Sequence, residues 1–284
     1  MKKKGRKTKG RRWNTSFTII SGIATLFIIV AIFGLLFLGD KVGEKAKKRK
    51  VAADSPIVHH NEYKKKKVAI IIDDIGYDLR PVEEILKLEV PVTLSILPLC
   101  PYSKEAAERA HHAGNEVMLH LPMEPADYPA KNPGDGALFL RMSRRELLHQ
   151  LDIDLNSVPH ASGVNNHMGS RFMEDAKKVE IIFKKLKKKN LFFVDSYTTR
   201  KTTGKKMAAK IGLKFAGRDV FIDNHADYND TLAILKRAIA RSEGWNTLVI
   251  IGHPYESTIR AMETAVPMFK AKKIQIVRPS ELLG

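Results

Sequence analysis

The stretch Val68–Asp78, VAIIIDDIGYD, limits what this chain can fold into more than any other part of it. Val68–Ile72 is an unbroken apolar run rich in β-branched residues, which is typical of a strand buried on both faces. Asp73 and Asp74 follow it, and Gly76 comes soon after. Carboxylates at the end of a buried strand are costly unless a partner such as a cation pairs with them. The same residues are also consistent with a solvated turn, so both interpretations stay open here.

The chain is strongly basic, with 49 Lys and Arg against 31 Asp and Glu, but this excess is concentrated in its first 67 residues. From residue 68 onward the chain is close to neutral. A nucleic-acid partner is therefore not expected, because such binding needs a basic patch on the folded domain itself. The single cysteine, Cys100, excludes an intrachain disulfide framework.

The N-terminal part of the chain predicts a membrane anchor. Residues 1–15 form a basic tail, and residues 16–38 run without a charge for long enough to cross about 30 Å of hydrocarbon as a helix. The positive-inside rule places the tail in the cytoplasm and the bulk of the chain outside it. No small-residue cleavage site follows, which favours an uncleaved signal anchor. Residues 39–66 are charged and poor in large apolar residues, as in a flexible tether, and residues 67–284 form the folded domain.

Short apolar runs alternate with amphipathic stretches from Val68 onward, which predicts an α/β fold with a parallel sheet, either open or closed into a barrel. Ser103 is predicted to cap a helix, and Ser143 with Glu146 forms a capping-box pattern that opens another. The further strands are predicted at 90–97, 116–119, 163–166, 191–194, 220–222, 247–251 and 273–277. The helices are predicted at 103–113, from 144 onward, and at 174–189, 205–211, 230–242 and 257–269, with a long loop at 121–138.

Polar residues of a restricted chemistry occur where these predicted strands end. They are Asp73, Asp74, His120, Asn165, Asn166, His167, Asp195, Asp223 and His253. In α/β barrels the carboxyl ends of the strands meet on one face, where catalytic groups gather. Any one of these residues is also consistent with a turn, a cap or a buried structural histidine. Together they predict a site that contains four aspartates and three histidines.

Carboxylate oxygens with imidazole nitrogens suit Zn²⁺ or another divalent first-row metal better than Ca²⁺ or Mg²⁺. Three protein ligands leave a coordination position for water, whose pKa a metal lowers toward neutrality. A nearby carboxylate then takes the proton of that water, and a further histidine protonates the leaving group. The sequence therefore predicts a metal-assisted hydrolase of an acyl bond.

At these residues the chain resembles the divergent polysaccharide deacetylases, a branch of the NodB-type carbohydrate esterases. The segments that carry the resemblance are VAIIIDDIGYD, VPVTLSILP, GNEVMLHLPMEP, GVNNHMGSRF, FFVDS and VIIGHPY, which cover roughly residues 68–279. The resemblance implies a distorted (β/α) barrel with fewer than eight regular units. It also implies a metal-dependent N- or O-deacetylase site, with an acetylated cell-envelope glycan as substrate.

The resemblance also implies roles for individual residues. Asp73 corresponds to the general base, Asp74 to a metal ligand and His253 to the general acid. Asp195 is expected to orient His253 or the substrate, since a carboxylate partner fixes the tautomer of an imidazole.

The chain departs from the usual family pattern at two places. Ile75 separates the aspartate pair from Gly76, and Glu124 stands where a second metal-binding histidine normally follows His120. We expect His167 to complete the metal site with Asp74 and His120, and Glu124 is a weaker alternative ligand.

The remaining assignments concern substrate and activity. Asn166, Arg171 and Glu124 are predicted to contact substrate, although an ion pair of Arg171 with a nearby acid is an equal alternative. The missing histidine also supports another interpretation of the whole domain, in which it is an inactive deacetylase-like module that binds or scaffolds envelope components.

Overall fold

A computed structural model describes residues 65–283 of the chain, in which parallel strands alternate with helices. The strands are β1 (Lys67–Ile75), β2 (Thr93–Ile96), β3 (Val117–Met123), β4 (Ala161–Met168), β5 (Phe192–Asp195), β6 (Phe215–Gly217), β7 (Val220–Phe221), β8 (Thr247–Gly252) and β9 (Gln275–Ile276). The helices are α1 (Arg80–Leu86), α2 (Ser103–His112), α3 (Arg144–Ser157), α4 (Ala176–Lys188), α5 (Gly204–Ile211), α6 (Tyr228–Ala240), α7 (Glu256–Ala271) and α8 (Pro279–Leu282).

The strands form a single sheet in the order β6-β5-β4-β3-β2-β1-β8-β7, and β9 pairs with the start of β1. Every strand pair is parallel, and the sheet curls into a half-barrel with β6 and β7 at its two ends. The predicted parallel α/β class is confirmed, and the predicted barrel takes this half-barrel form.

No helix within residues 65–283 is both long enough and apolar enough to span a membrane. The predicted tail (1–15), membrane segment (16–38) and almost all of the tether (39–66) lie outside the described residues.

Strand β1 pairs with more strands than any other described strand, because β2, β8 and β9 all pair with it. Its alternate residues Val68, Ile70 and Ile72 belong to the large core under the helices, whereas Ile71 belongs to a smaller cluster inside the curl. Side chains of a strand alternate between the two faces of a sheet. An apolar run without interruption is therefore what a strand buried on both faces requires.

Two helices formed as their sequence patterns predict. Helix α3 begins after Ser143, whose hydroxyl accepts from the Glu146 amide while the Glu146 carboxylate accepts from the Ser143 amide. Helix α4 buries four apolar residues against the sheet and carries lysines outside. The four are Val179, Ile182, Phe183 and Leu186.

Other local predictions were wrong. Ser103 does not cap α2 but lies inside it, donating to the Leu97 carbonyl at 2.6 Å and accepting from the Cys100 amide at 2.9 Å. Helix α1 and strand β6 were not predicted. A proline in the sequence usually indicates that a helix is interrupted, but this proline lies in the first turn of α1, a position that suits it.

Strands β3 and β4 run further than predicted, to Met123 and Met168. Their last residues include His120, Asn165 and His167, which interrupt the apolar pattern by which the strands were recognised. The strands continue through these polar residues because their ends line the site described next.

Candidate metal and catalytic site

A bulge at the end of β1 brings two neighbouring carboxylates to one site. Ile72 pairs with Leu94 and Ile75 with Ile96, so β1 has one residue more than β2 over this stretch. Asp74 takes the left-handed conformation, with φ of +55°. Neighbouring side chains of a regular strand point to opposite faces, and a bulge redirects one of them. As a result both Asp73 and Asp74 lie near His120, with closest O···N distances of 3.7 and 3.1 Å.

Three potential metal ligands converge at the carboxyl ends of β1, β3 and β4. Asp74 Oδ1 lies 3.1 Å from His120 Nε2 and 2.9 Å from His167 Nδ1, and the two nitrogens lie 3.1 Å apart. A tetrahedral metal with bonds of about 2.0–2.1 Å places its ligand atoms about 3.3 Å apart. The triangle formed by Asp74, His120 and His167 therefore has nearly the size that one such ion requires.

The hydrogen bonds around Asp74 also fit a metal site. Asp74 Oδ1 is buried, yet it accepts no hydrogen bond from either neighbouring ring despite the short distances. A buried oxygen without a donor is costly, and a cation at the centre of the triangle would compensate for it. Burial works to raise the pKa of Asp74, but the two imidazoles outweigh it and hold that pKa far below its usual range. Asp74 is therefore an anion at every ordinary pH.

Asn165 fixes the orientation of His120. Its Oδ1 accepts from Ser95 Oγ at 2.6 Å and lies 2.7 Å from His120 Nδ1, and its Nδ2 donates to Asp73 Oδ1 at 2.7 Å. Because an amide oxygen only accepts, His120 must donate from Nδ1, so Nε2 is the nitrogen directed toward Asp74 and His167. Burial alone would lower the pKa of His120, but Asp73 and Asp74 outweigh it and raise that pKa to about 9.

The sequence interpretation gave Asn165 no role. The signal that could have found it is its position two residues before His167, since residues two apart share one face of a strand.

His253 follows β8, which pairs with β1 on the side away from β2, whereas Asn165 lies on β4 at the other side of the site. Its Nδ1 lies 3.1 Å from Asp223 Oδ1, and its Nε2 lies 3.7 Å from Asp74 Oδ2. Asp223 Oδ2 accepts from the His253 amide at 2.5 Å and from Thr258 Oγ1 at 2.9 Å. Burial works to lower the pKa of His253, but Asp223, with Asp73 and Asp74, outweighs it and raises that pKa. His253 thus has Nδ1 toward Asp223 and Nε2 toward Asp74 at the centre of the site.

The partner of His253 is not the residue that the sequence suggested. Asp195 was expected to orient this histidine or the substrate, whereas Asp223 was grouped with the strand-end residues and given no role of its own. In the structure Asp195 accepts from the Tyr197 amide at 2.9 Å and from Thr202 Oγ1 at 2.6 Å, so it anchors the loop after β5. Burial raises the pKa of Asp195.

Arg218, which the sequence interpretation did not single out, lies between β6 and β7 and close to the site. Its Nε donates to the Ser196 carbonyl at 2.8 Å, and its guanidinium packs 4.9 Å from the Phe221 ring centre. Burial lowers the pKa of Arg218, and the negative charges of Asp73 and Asp195 partly restore it. Arg218 therefore supplies a fixed positive charge on the side of Asp73.

The three predicted substrate contacts lie apart from the triangle. Glu124 accepts from the Leu140 amide at 2.6 Å and forms an ion pair with Arg171 at 3.2 Å. Glu124 and Arg171 are therefore not part of the ligand group around Asp74. The side chain of Arg171 is half exposed beside Glu124. Asn166 is buried, donates to the Met168 carbonyl at 2.8 Å and accepts from the Ser196 amide at 3.0 Å. Its described polar contacts join the ends of β4 and β5.

The site as a whole combines a triangle of potential metal ligands with a carboxylate, Asp73, and an imidazole, His253, beside it. Asp73 lies on the Asn165 side and His253 on the Asp223 side. This arrangement suits polarisation of a carbonyl with proton transfer at both ends of the reacting group. The fold and the site together define a parallel α/β half-barrel with a candidate aspartate–histidine metal site at the carboxyl ends of its strands.

Comparison with known proteins shows the family. The divergent polysaccharide deacetylase family matches residues 70–283, so the chain belongs to that family. The chain is 33% identical over 219 residues to the uncharacterised protein YibQ of Escherichia coli K12, covering 77% of this chain and 67% of YibQ. It is 32% identical over 200 residues to an uncharacterised protein of Haemophilus influenzae, covering 70% of this chain and 71% of that protein.

A solved structure shows the same fold. The uncharacterised protein ATU2773 from Agrobacterium tumefaciens C58 superposes with a TM-score of 0.73 at 21% identity, over 77% of this chain and 89% of that protein. At this level of identity the likeness concerns the fold and not the activity.

Proposed function

We propose that this protein is a metal-dependent deacetylase that hydrolyses N- or O-acetyl groups of a cell-envelope polysaccharide. The observation that carries the proposal is the convergence of Asp74 Oδ1, His120 Nε2 and His167 Nδ1 at 2.9–3.1 Å around an oxygen with no hydrogen-bond donor. Membership of the divergent polysaccharide deacetylase family supports acetylated glycan as the class of substrate.

Asp74, His120 and His167 would hold the metal, which is Zn²⁺ or another divalent first-row ion. Such an ion supplies a Lewis acid and lowers the pKa of a water molecule. Asp73 takes the proton of the attacking water, and Arg218 balances its charge. His253 donates a proton from Nε2 to the leaving amine or alcohol, because Asp223 holds Nδ1 and helps to raise the pKa of the ring.

The same proposal places the protein at the cytoplasmic membrane as a single-pass protein with its N-terminus in the cytoplasm. Residues 16–38 form the anchor, and the tether of residues 39–66 has a mean reach of about 30 Å if it is flexible. This reach suits a polymer near the outer surface of that membrane. A reporter enzyme fused after residue 66 tests the orientation, since activity of an export-dependent reporter is expected and activity of a cytoplasm-dependent reporter would contradict it.

Metal content and acetate release test the function together. Wild-type protein should contain close to one equivalent of metal and release acetate from an acetylated glycan. His167→Ala should lose both, because it removes one corner of the ligand triangle. His225→Ala is the matched control, since this exposed histidine lies outside the site and its replacement should change neither reading.

Two results would contradict the proposal in different ways. Unchanged metal content in His167→Ala would remove the ligand assignment. Full metal content with no acetate release from N- or O-acetylated glycans would favour an inactive envelope-binding module instead. In that case Asp73→Asn should leave glycan binding unchanged.

A further inference from the structure

A groove begins beside His253 and runs between the first turns of α1 and α7. Its volume is about 800 Å³, which is within the range of ligand-binding pockets. Pro254 and Tyr255, the two residues that follow His253, line its upper end, and the rings of His253 and Tyr255 have their centres 5.8 Å apart. A polymer with its reacting unit at the triangle of Asp74, His120 and His167 therefore has room for a neighbouring unit in this groove.

The wall of the groove suits a sugar ring. Tyr255 is 45% exposed, and Pro81 and Ile259 add apolar surface below it. An aromatic side chain with an apolar face and a polar hydroxyl suits a sugar, whose C–H face is apolar and whose edge carries hydroxyl groups. A large exposed tyrosine beside a candidate active site is thus a stacking surface for the next unit of a glycan.

The charges of the groove select among sugars. Four carboxylates line it against two guanidinium groups, and one of these, Arg80, is paired with Asp78 at 2.5 Å. The other, Arg260, packs 5.5 Å from the Tyr228 ring centre. Of the four carboxylates, Glu84 is paired as well, with Lys87 at 2.6 Å, so Glu256 and Glu263 on α7 supply the remaining negative charges. An excess of carboxylates attracts a cationic ligand and repels an anionic one.

Deacetylation of an N-acetylated sugar releases acetate and leaves an amine, which carries a positive charge when protonated. We propose that the groove binds a free-amine sugar unit next to the unit being deacetylated, so that the substrate is a partly deacetylated aminosugar polymer. This inference rests on the proposed function and narrows it to N-acetyl groups. Deacetylation would then extend along a chain, because each product unit becomes a preferred neighbour for the next reaction.

Binding of two sugar tetramers to the full-length protein, one with free amines and one with N-acetyl groups, tests this inference. Calorimetry with a glucosamine tetramer and with an N-acetylglucosamine tetramer should show tighter binding of the glucosamine tetramer. The double variant Glu256→Gln/Glu263→Gln should weaken binding of the glucosamine tetramer about three- to tenfold, since exposed charge pairs contribute up to about 1 kcal/mol each. It should leave binding of the N-acetylated tetramer unchanged.

Glu89→Gln/Glu243→Gln is the matched control, because it removes the same charge from exposed positions outside the groove. It should bind both probes as the wild type does. Tyr255→Ala should weaken binding of both probes. Equal affinity of the wild type for the two tetramers, or an unchanged affinity of the Glu256/Glu263 variant, would overturn the inference. The glucosamine tetramer carries no acetyl group, so this result is independent of whether acetate release is observed.

Discussion

Asp154 on α3 is predicted to lower the stability of the protein above neutral pH. Its side chain has no exposed surface, Gln150 donates to its Oδ1 at 2.9 Å, and its Oδ2 has no hydrogen-bond partner. Gly136 of the loop between β3 and α3 packs directly against the carboxyl group. Burial raises the pKa of Asp154 from 3.8 to about 7, against the smaller opposing effect of Gln150.

The size and sign of the effect follow from this pKa. A carboxyl group with a higher pKa in the folded state holds its proton more tightly there, so its contribution is favourable below about pH 4 and is lost as pH rises to about 7. At 1.36 kcal/mol per pKa unit, a rise of about three units amounts to at most about 4 kcal/mol. Asp154→Asn removes the charge and keeps the shape. It should raise the free energy of unfolding by about 2–4 kcal/mol at pH 8.5 and change it little at pH 4.

Urea unfolding of both proteins at the two pH values measures this difference. Asp152→Asn is the matched control on the same helix, because Asp152 is partly exposed and pairs with Lys185 at 2.7 Å and Lys189 at 3.5 Å. Its loss should lower the free energy of unfolding by less than about 1 kcal/mol. If Asp154→Asn is no more stable than the wild type at pH 8.5, Asp154 is not a buried, unpaired carboxylate and the reasoning is refuted.

Three further predictions concern the site and its loops. Asp223→Asn should lower the pKa of His253, shift the alkaline limb of the pH–rate profile to lower pH and reduce kcat about 10- to 100-fold; an unmoved limb would contradict this. Glu124→Gln should retain full metal content by elemental analysis, whereas a loss of metal from this variant would show that Glu124 is a ligand. Gly136→Ala should lower Tm more than Gly134→Ala: both have positive φ, but only at Gly136 would the added Cβ lie 2.5 Å from Asp154 Oδ1.

The sequence predicted the architecture well because the apolar runs are long and regular. It placed Asp74, His120 and His167 at strand ends, and the structure brings their ligand atoms within 4.8 Å of one another. Residue type and position relative to a strand were sufficient for that grouping, because the carboxyl ends of parallel strands meet on one face.

The sequence could not decide which aspartate contacts His253. Asp195 and Asp223 both follow short apolar strands, so their local patterns are alike. The difference lies in sheet order: β7 is the direct neighbour of β8, whereas β5 is separated from β8 by four strands. Pairing of strands far apart in the chain determines this order, and a local pattern contains no information about it.

The bulge in β1 makes the chemistry of this site depend on main-chain geometry. Asp73 and Asp74 serve one site only because the chain turns between Ile72 and Ile75. Gly76 follows with φ of +137°, where an added Cβ would lie only 3.1 Å from Cys100 Cβ. Insertion or deletion of one residue here would exchange the faces of the two carboxylates while leaving every functional side chain in the sequence. A list of site residues is thus insufficient to recognise a relative with the same site, because the main chain at the end of the strand must also direct both carboxylates to it.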